Sequence, residues 1–166
     1  MKLPDNKDEN IDTKDENEKE KKENVEFAAI LTGKEEVPEV YTLDTALATF
    51  QSSNKNANDK TEKDEELKYS VKITDMEKVK KVSIDVGKSP SKEEDVADLY
   101  KTKNPTKKVD GKLCEGKINS TKLKGTLQGK KTKELIQKIE KGEAYVNIST
   151  EDKPKGKVRG KIEKLK

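Results

Sequence analysis

From residue 25 onward, apolar residues recur at every second position through most of the chain. ELKYSVKIT (66–74) is the plainest case. Leu67, Tyr69, Val71 and Ile73 share one face; Lys68, Ser70 and Lys72 share the other. That period of two is the signature of a half-buried strand. VEFAAIL (25–31) repeats it with Val25, Phe27, Ala29 and Leu31, and TALATF (45–50) with Ala46, Ala48 and Phe50. VKKVSIDVG (79–87) sets Val82, Ile84 and Val86 on one side, against Lys81, Ser83 and Asp85 on the other. VADLYK (96–101) reads as a short strand. LCEGKIN (113–119) puts Cys114, Gly116 and Ile118 on one side, and KLKGTLQG (122–129) reads as a weaker strand because Gly125 loosens it. The chain closes on two alternating runs, 143–150 and 157–164, split by a Pro/Gly turn. Ala144, Val146 and Ile148 on one face Val158, Gly160 and Ile162 on the other, as in a hairpin.

One stretch departs from this rhythm. TKELIQKIEKG (132–142) offers Leu135, Ile136 and Ile139 as a helical stripe, with Thr132 as the expected cap and Gly142 as the stop. So short a helix is expected to plug an end of the sheet structure. TGKEEVPEVYTLD, SPSKEED and KNPTKKVDG read as loops, and QSSNKNANDKTEKDE (51–65) as a long polar hairpin loop. About eight short strands and one late helix predict an all-β antiparallel sandwich or partly open barrel. One-sided alternation argues against a parallel α/β sheet, whose strands are apolar on both faces.

Composition sharpens this picture. Of 166 residues 28% are hydrophobic and 43% charged, which predicts a small core under a heavily ionised surface. The 37 basic and 34 acidic residues nearly cancel, so net charge does not force disorder. Residues 1–24 hold nine acids, six Lys and four Asn, and read as a disordered charged tail ahead of a domain at 25–166. Charge is also segregated. Residues 1–100 carry 17 Lys against 26 acids, and residues 101–166 carry 20 basic residues against 8 acids. Lys103, Lys107, Lys108, Lys112, Lys122 and Lys124 lie in a run that has only Asp110 and Glu115 as acids. They form a candidate anion-binding face beside the plainer reading of a solvated Lys-rich surface. That run lacks the aromatics with which single-strand binders stack bases, which counts against nucleic acid.

Candidate chemistry is sparse. There is no histidine. A single cysteine, Cys114, excludes an internal disulfide and reads as a small core residue without a base to activate it. Glu35–Glu36 and Glu93–Glu94 are sequence neighbours in loops, where carboxylates are usually solvated. Neither a phosphate-binding loop nor a dinucleotide fingerprint is present, and no calcium-loop spacing surrounds Asp85, Glu151 or Asp152. No catalytic residue, metal ligand or cofactor is therefore expected. Arg159, the only arginine, is expected on the outward side of the last strand. There its planar fork suits an ion pair that locks the closing hairpin, with Glu36 as the candidate partner and Asn147 beside it. No apolar run is long enough to span a membrane. MKLPDNKDENID has no apolar signal region, which leaves a cytoplasmic location or a leader ahead of Met1 as the alternatives.

Three stretches, in order, resemble the chordin-type (CHRD) domain. FAAILTGKEEVPEVYTLDTALATF (27–50) carries Phe27, Leu31, Thr32, Gly33, Glu36, Val37, Pro38 and Phe50 at the family's opening positions. ELKYSVKI running into VKKVSIDVG matches the middle strand pair. Gly142, Tyr145, Val146, Asn147, Thr150, Pro154, Gly156, Arg159 and Gly160 match its ending. The resemblance implies a Greek-key-like, immunoglobulin-like β-sandwich related to that of superoxide dismutase. It also implies a non-enzymatic, extracellular or envelope-associated binding or structural module, with a protein as one partner; the acidic early half and basic late half add contact with an anionic surface polymer, or head-to-tail self-association, as the alternatives. The chain departs from the family at the histidine positions: Ser83 and Asp85 stand where the family has H-x-H, and Ser149 where it has a further histidine. A metal-dependent redox enzyme of superoxide dismutase type is the rival reading, and it would need those imidazoles. An intracellular binder of anions or nucleic acid through the 101–133 lysines is the third.

Overall fold

The computed structural model of the chain describes residues 26–53, 65–89, 92–105 and 107–165. The tail expected at 1–24 and most of the polar loop expected at 51–65 lie outside these residues. The described residues form nine strands and one α-helix. β1 is Phe27–Thr32, β2 Thr45–Ser52, β3 Leu67–Met76, β4 Val79–Val86 and β5 Glu94–Lys101. β6 is Val109–Ile118, α1 Thr132–Glu140, β7 Ala144–Thr150, β8 Val158–Lys161 and β9 Glu163–Lys164.

All strands belong to one antiparallel sheet in the order β5-β4-β7-β8-β1-β2-β3-β6, with β9 pairing with β1. The connections force this sheet to curl. β3 and β4 stand five places apart, which in a flat sheet would be about 24 Å. Yet only Glu77 and Lys78 join Met76 to Val79, and three Cα–Cα steps reach about 11 Å at most. The two halves must face one another. The ends of the order also meet. The Tyr69 hydroxyl of β3 donates to the Leu99 carbonyl of β5 at 2.8 Å, and the Lys124 backbone N–H donates to Val96 O of β5 at 2.9 Å. The result is a nearly closed, barrel-like sheet.

The alternating residues meet inside. Phe27, Leu31, Phe50, Leu67, Val71, Ile73, Val82, Ile84, Val146, Ile148, Val158 and Ile162 are buried in one cluster with Leu135, Ile136 and Ile139 of α1. Two expectations are corrected. Residues 122–129 are not a strand; Ser120–Lys122 and Gly125–Leu127 are single 3-10 turns, with Leu123 and Leu127 buried. The turn suits Gly125, whose φ is +60°. Thr132 is not the helix cap: Lys131 holds that position, and Thr132 is the first helical residue with its side chain buried. Cys114 is half-buried at the core's margin, and burial pushes its thiol up to about 11. The thiol therefore stays protonated and weakly nucleophilic at neutral pH.

Candidate functional site

The outward face of β5-β4-β7-β8 is where chemistry collects. Ladder register sets its polar side chains in rows. One row runs Lys161–Tyr145–Asp85–Asp95, the next Thr32–Arg159–Asn147–Ser83–Asp98, and a third Ser149–Lys81–Lys101. Alternation places these residues opposite the apolar core, as the sequence predicts. Unlike an ordinary solvated face, however, Ser83, Asp85, Ser149 and Arg159 are buried.

Arg159 crosses this face. Its guanidinium lies 4.0 Å from the Tyr145 ring centroid. Nε donates to Glu93 Oε1 at 3.0 Å, Nη2 pairs with Glu93 Oε2, and Nη1 donates to the Glu35 carbonyl at 2.9 Å. The partner is thus Glu93 and not Glu36, and Asn147 makes no bond to the guanidinium. Glu36 is buried and the Glu93 side chain is shielded from water, against the expectation of solvated loop carboxylates. Burial raises the Glu93 pKa, and the hydrogen bond and charge of Arg159 pull it back only in part. Sequence reasoning missed Glu93 because it precedes β5 in a loop, 66 residues from Arg159. Its adjacency to the start of a strand is the one signal it carries.

The three positions that would be imidazoles in the family lie together on β4 and β7. Ser83 Oγ donates to Asp85 Oδ1 at 2.8 Å and lies 3.4 Å from Asp95 Oδ1. Lys81 Nζ pairs with Asp95 and stands 3.6 Å from Asp98, which also accepts from Lys124 Nζ at 2.9 Å. Lysine ammonium groups therefore occupy the positive centre of this acidic patch. Among the described residues no group of three or more His, Cys, Asp or Glu is placed to hold a metal ion. Burial first, then a hydrogen bond and charge shared with Asp95, push the Asp85 pKa up to about 8. Burial acts against ionisation of Asp95 as well. The bonds to Asp85 and Lys81 outweigh it and bring Asp95 below its ordinary value.

A pH dependence follows. The folded chain retains the Asp85 proton that the unfolded chain gives up near pH 4. Its contribution to stability is full below that value and declines as pH rises to about 8. Asp95 acts in the opposite sense, but only below pH 4. Urea melts at pH 5, 6.5 and 8.5 should therefore show a falling midpoint, and Asp85→Asn should flatten the decline. A midpoint that rises over this range would contradict the assignment.

The other motif residues gather at the adjoining corner. Gly33 opens a 3-10 turn, Gly33–Glu35, and accepts from Val40 N–H at 2.9 Å, folding residues 33–43 back on themselves. Glu36 points under this segment toward Gly156 in the β7–β8 turn. Gly156 has φ +140°, and an added Cβ would lie 2.6 Å from Asn147 Oδ1 and from Glu36 Oε2. Gly160 passes directly beneath the Ile30 carbonyl of β1. The structure thus brings together Thr32, Gly33, Glu36, Tyr145, Asn147, Gly156, Arg159 and Gly160. Phe27 and Leu31 serve the core instead, and Pro38 is exposed. The same segment exposes Val37, Tyr41 and Leu43, beside an open depression of about 510 Å³ lined by Lys34 and residues 39–43.

The candidate lysines divide into two groups. Lys112 pairs with Glu115, Lys122 Nζ donates to the Lys117 carbonyl, and Lys124 pairs with Asp98. Lys103, Lys107 and Lys108 are exposed in the β5–β6 connection and make no ion pair among the described residues. No helix of the described residues is long and apolar enough to cross a membrane.

No curated protein and no solved structure matches the chain significantly. The family model for the CHRD domain matches residues 27–162, a span that begins at Phe27 of β1 and ends just past Arg159 and Gly160. With the opening and closing motifs joined in one corner of a nearly closed sheet, the chain belongs to the CHRD domain family.

Proposed function

We propose that this domain is a non-enzymatic binding or structural module of extracellular or envelope-associated kind, and that it meets an anionic polymer through its free lysines. The observation that carries this reading is the exposed set Lys101, Lys103, Lys107 and Lys108, with Lys80 alongside. The Thr102 N–H donates to Lys80 O at 2.9 Å, which holds the start of β4 and the end of β5 side by side. Such a cluster raises the local concentration of an anionic chain without a shaped pocket. The charged groups of the outer face support a non-catalytic role, because Arg159 pairs with Glu93, Lys81 with Asp95, and Asp85 accepts from Ser83. The family's occurrence in secreted proteins supports the location. The curled sheet also fits the sandwich expected from the resemblance, with Greek-key-like connections of the superoxide dismutase kind, since β3 passes directly to β4 on the facing half.

Binding to long-chain polyphosphate in low salt tests this reading. The wild-type chain is expected to bind, with affinity falling as salt shortens the screening length. Replacing Lys103, Lys107 and Lys108 by Gln is expected to weaken binding at least tenfold, while Lys112→Gln, already paired, changes it little. Binding that ignores salt, or that survives the triple replacement, would reject the lysine surface. Light scattering in the same buffer separates polymer binding from head-to-tail self-association between the acidic and basic halves.

A further inference from the structure

Two buried side-chain oxygens have no hydrogen-bond partner among the described residues, Glu36 Oε2 and Asn147 Oδ1. They belong to one place. Both lie 2.6 Å from the single point that a Cβ on Gly156 would occupy, so they are at most about 5 Å apart. Two unpartnered acceptors gathered at one glycine out of water is an unfavourable arrangement, and buried polar groups are otherwise paired. Turning the Asn147 amide over does not solve it. Asn147 Nδ2 donates to the Lys155 carbonyl at 3.2 Å, and the reverse orientation would set oxygen against oxygen there. One added proton does solve it.

We infer that Glu36 is carried as a neutral carboxylic acid whose O–H donates to Asn147 Oδ1, making this contact a proton-held clasp. The clasp fastens the 33–44 segment to the β7–β8 hairpin, and it loosens when the proton leaves. The surroundings favour this. Glu36 is 8% exposed. The charged groups acting on it are Arg159 from β8, which favours ionisation, and Glu93 from the segment before β5, which opposes it. Arg159 is already committed to Glu93 by two bonds and to the Glu35 carbonyl by a third. Here the β7–β8 hairpin presents two uncharged residues, Asn147 of β7 and Gly156 of the turn, while Lys157 of that turn reaches Asp44 at 3.3 Å and Asp152 at 3.6 Å. Burial first, with the Glu93 charge adding, raises the Glu36 pKa to about 7 despite Arg159.

The sign follows from linkage. The folded state holds a proton that the unfolded chain releases near pH 4.3. The clasp is complete in acid and fails as pH rises through about 7. What it releases is the segment carrying Val37, Tyr41 and Leu43, which are 63%, 94% and 98% exposed even when it is seated. The domain therefore presents this apolar strip differently on the two sides of neutrality. This holds whether or not the lysine surface binds a polymer.

The test is a side-chain titration of the full chain labelled with ¹³C and ¹⁵N. The Glu36 carboxyl carbon, assigned by its loss in Glu36→Gln, is expected to titrate near pH 7 rather than near 4. The amides of Gly33, Thr42 and Gly156 should shift with the same midpoint, the open-to-closed ratio rising up to tenfold per pH unit beyond it. In Glu36→Gln the side-chain amide donates to Asn147 at every pH, and those three amides should stay still. A Glu36 midpoint below pH 5 would overturn the inference, and so would unchanged titration of the segment amides in Glu36→Gln. If Glu36→Gln does not fold, the wild-type carboxyl midpoint, assigned by through-bond correlation, decides alone.

Discussion

Arg159→Leu is expected to destabilise the domain by about 3–5 kcal/mol, the usual range for breaking a buried ion pair by removing one partner. Both side chains of the Arg159–Glu93 pair are 7% exposed. Removing the guanidinium leaves the Glu93 carboxylate with no counter-charge out of water and strips the Glu35 carbonyl of its donor. It also uncovers the face of Tyr145. Because burial already raises the Glu93 pKa with arginine present, the variant should hold a neutral Glu93 to higher pH. The loss should therefore be smaller at pH 5 than at pH 8. Arg159→Lys keeps the charge but not the planar fork that bonds two oxygens and a carbonyl together, so it should recover only part. Arg159→Leu/Glu93→Leu should recover most, since it is the orphaned charge and not the absence of the pair that costs the fold. Urea melts at the two pH values measure all three. A loss under about 1 kcal/mol in the single variant, or a double variant no better than the single, would show that the pair is not what joins these loops.

Gly160→Ala is the second large effect, with an expected loss of about 3 kcal/mol or more, at the upper end for overpacking. An added Cβ would fall well inside contact distance of the Ile30 carbonyl oxygen, with the Leu31 Cα 3.2 Å away. Both are backbone atoms of β1, so no rotamer change relieves the clash. β1 would have to retreat from β8. That pairing is thin, with Thr32↔Arg159 as its one registered partner pair, yet it joins the β5-β4-β7-β8 half of the sheet to the β1-β2-β3-β6 half. Separation there would open the sheet at its middle and unseat Arg159 as well. Lys161→Ala, on the exposed neighbouring residue, is the control and should change stability by less than about 0.5 kcal/mol. Soluble yield and denaturation midpoints compare the two variants. Equal stability would mean that β1 and β8 are free to move apart.

These effects mark the boundary between what is legible in residues and what is not. The strand cores were readable because a half-buried strand repeats every two residues, a local property. Leu67, Val71 and Ile73 announce β3 without knowledge of β2 or β6. The same local rule failed at 122–129, where alternation in KLKGTLQG is weak and Gly125 allows a left-handed turn. It also misplaced the helix cap by one residue at Thr132. The gathering of motif residues was foreseeable only as a resemblance, since nothing in their spacing says that Glu36 and Gly156 touch.

Residue order is enough to show the alternation of an all-β antiparallel domain, the motifs of its family, the late helix and the absence of imidazole. Tertiary structure alone decided that the sheet curls until its ends meet. It also decided that Ser83, Asp85, Ser149 and Arg159 on the outer face are buried rather than wet, that Arg159 takes Glu93 over Glu36, and that Glu36 and Asn147 meet at Gly156. The reason is physical: a period of two states which way a side chain points relative to its own strand. Partner choice and burial depend instead on which strands lie side by side and which loops fold over them, and both are set by contacts between residues far apart in the chain.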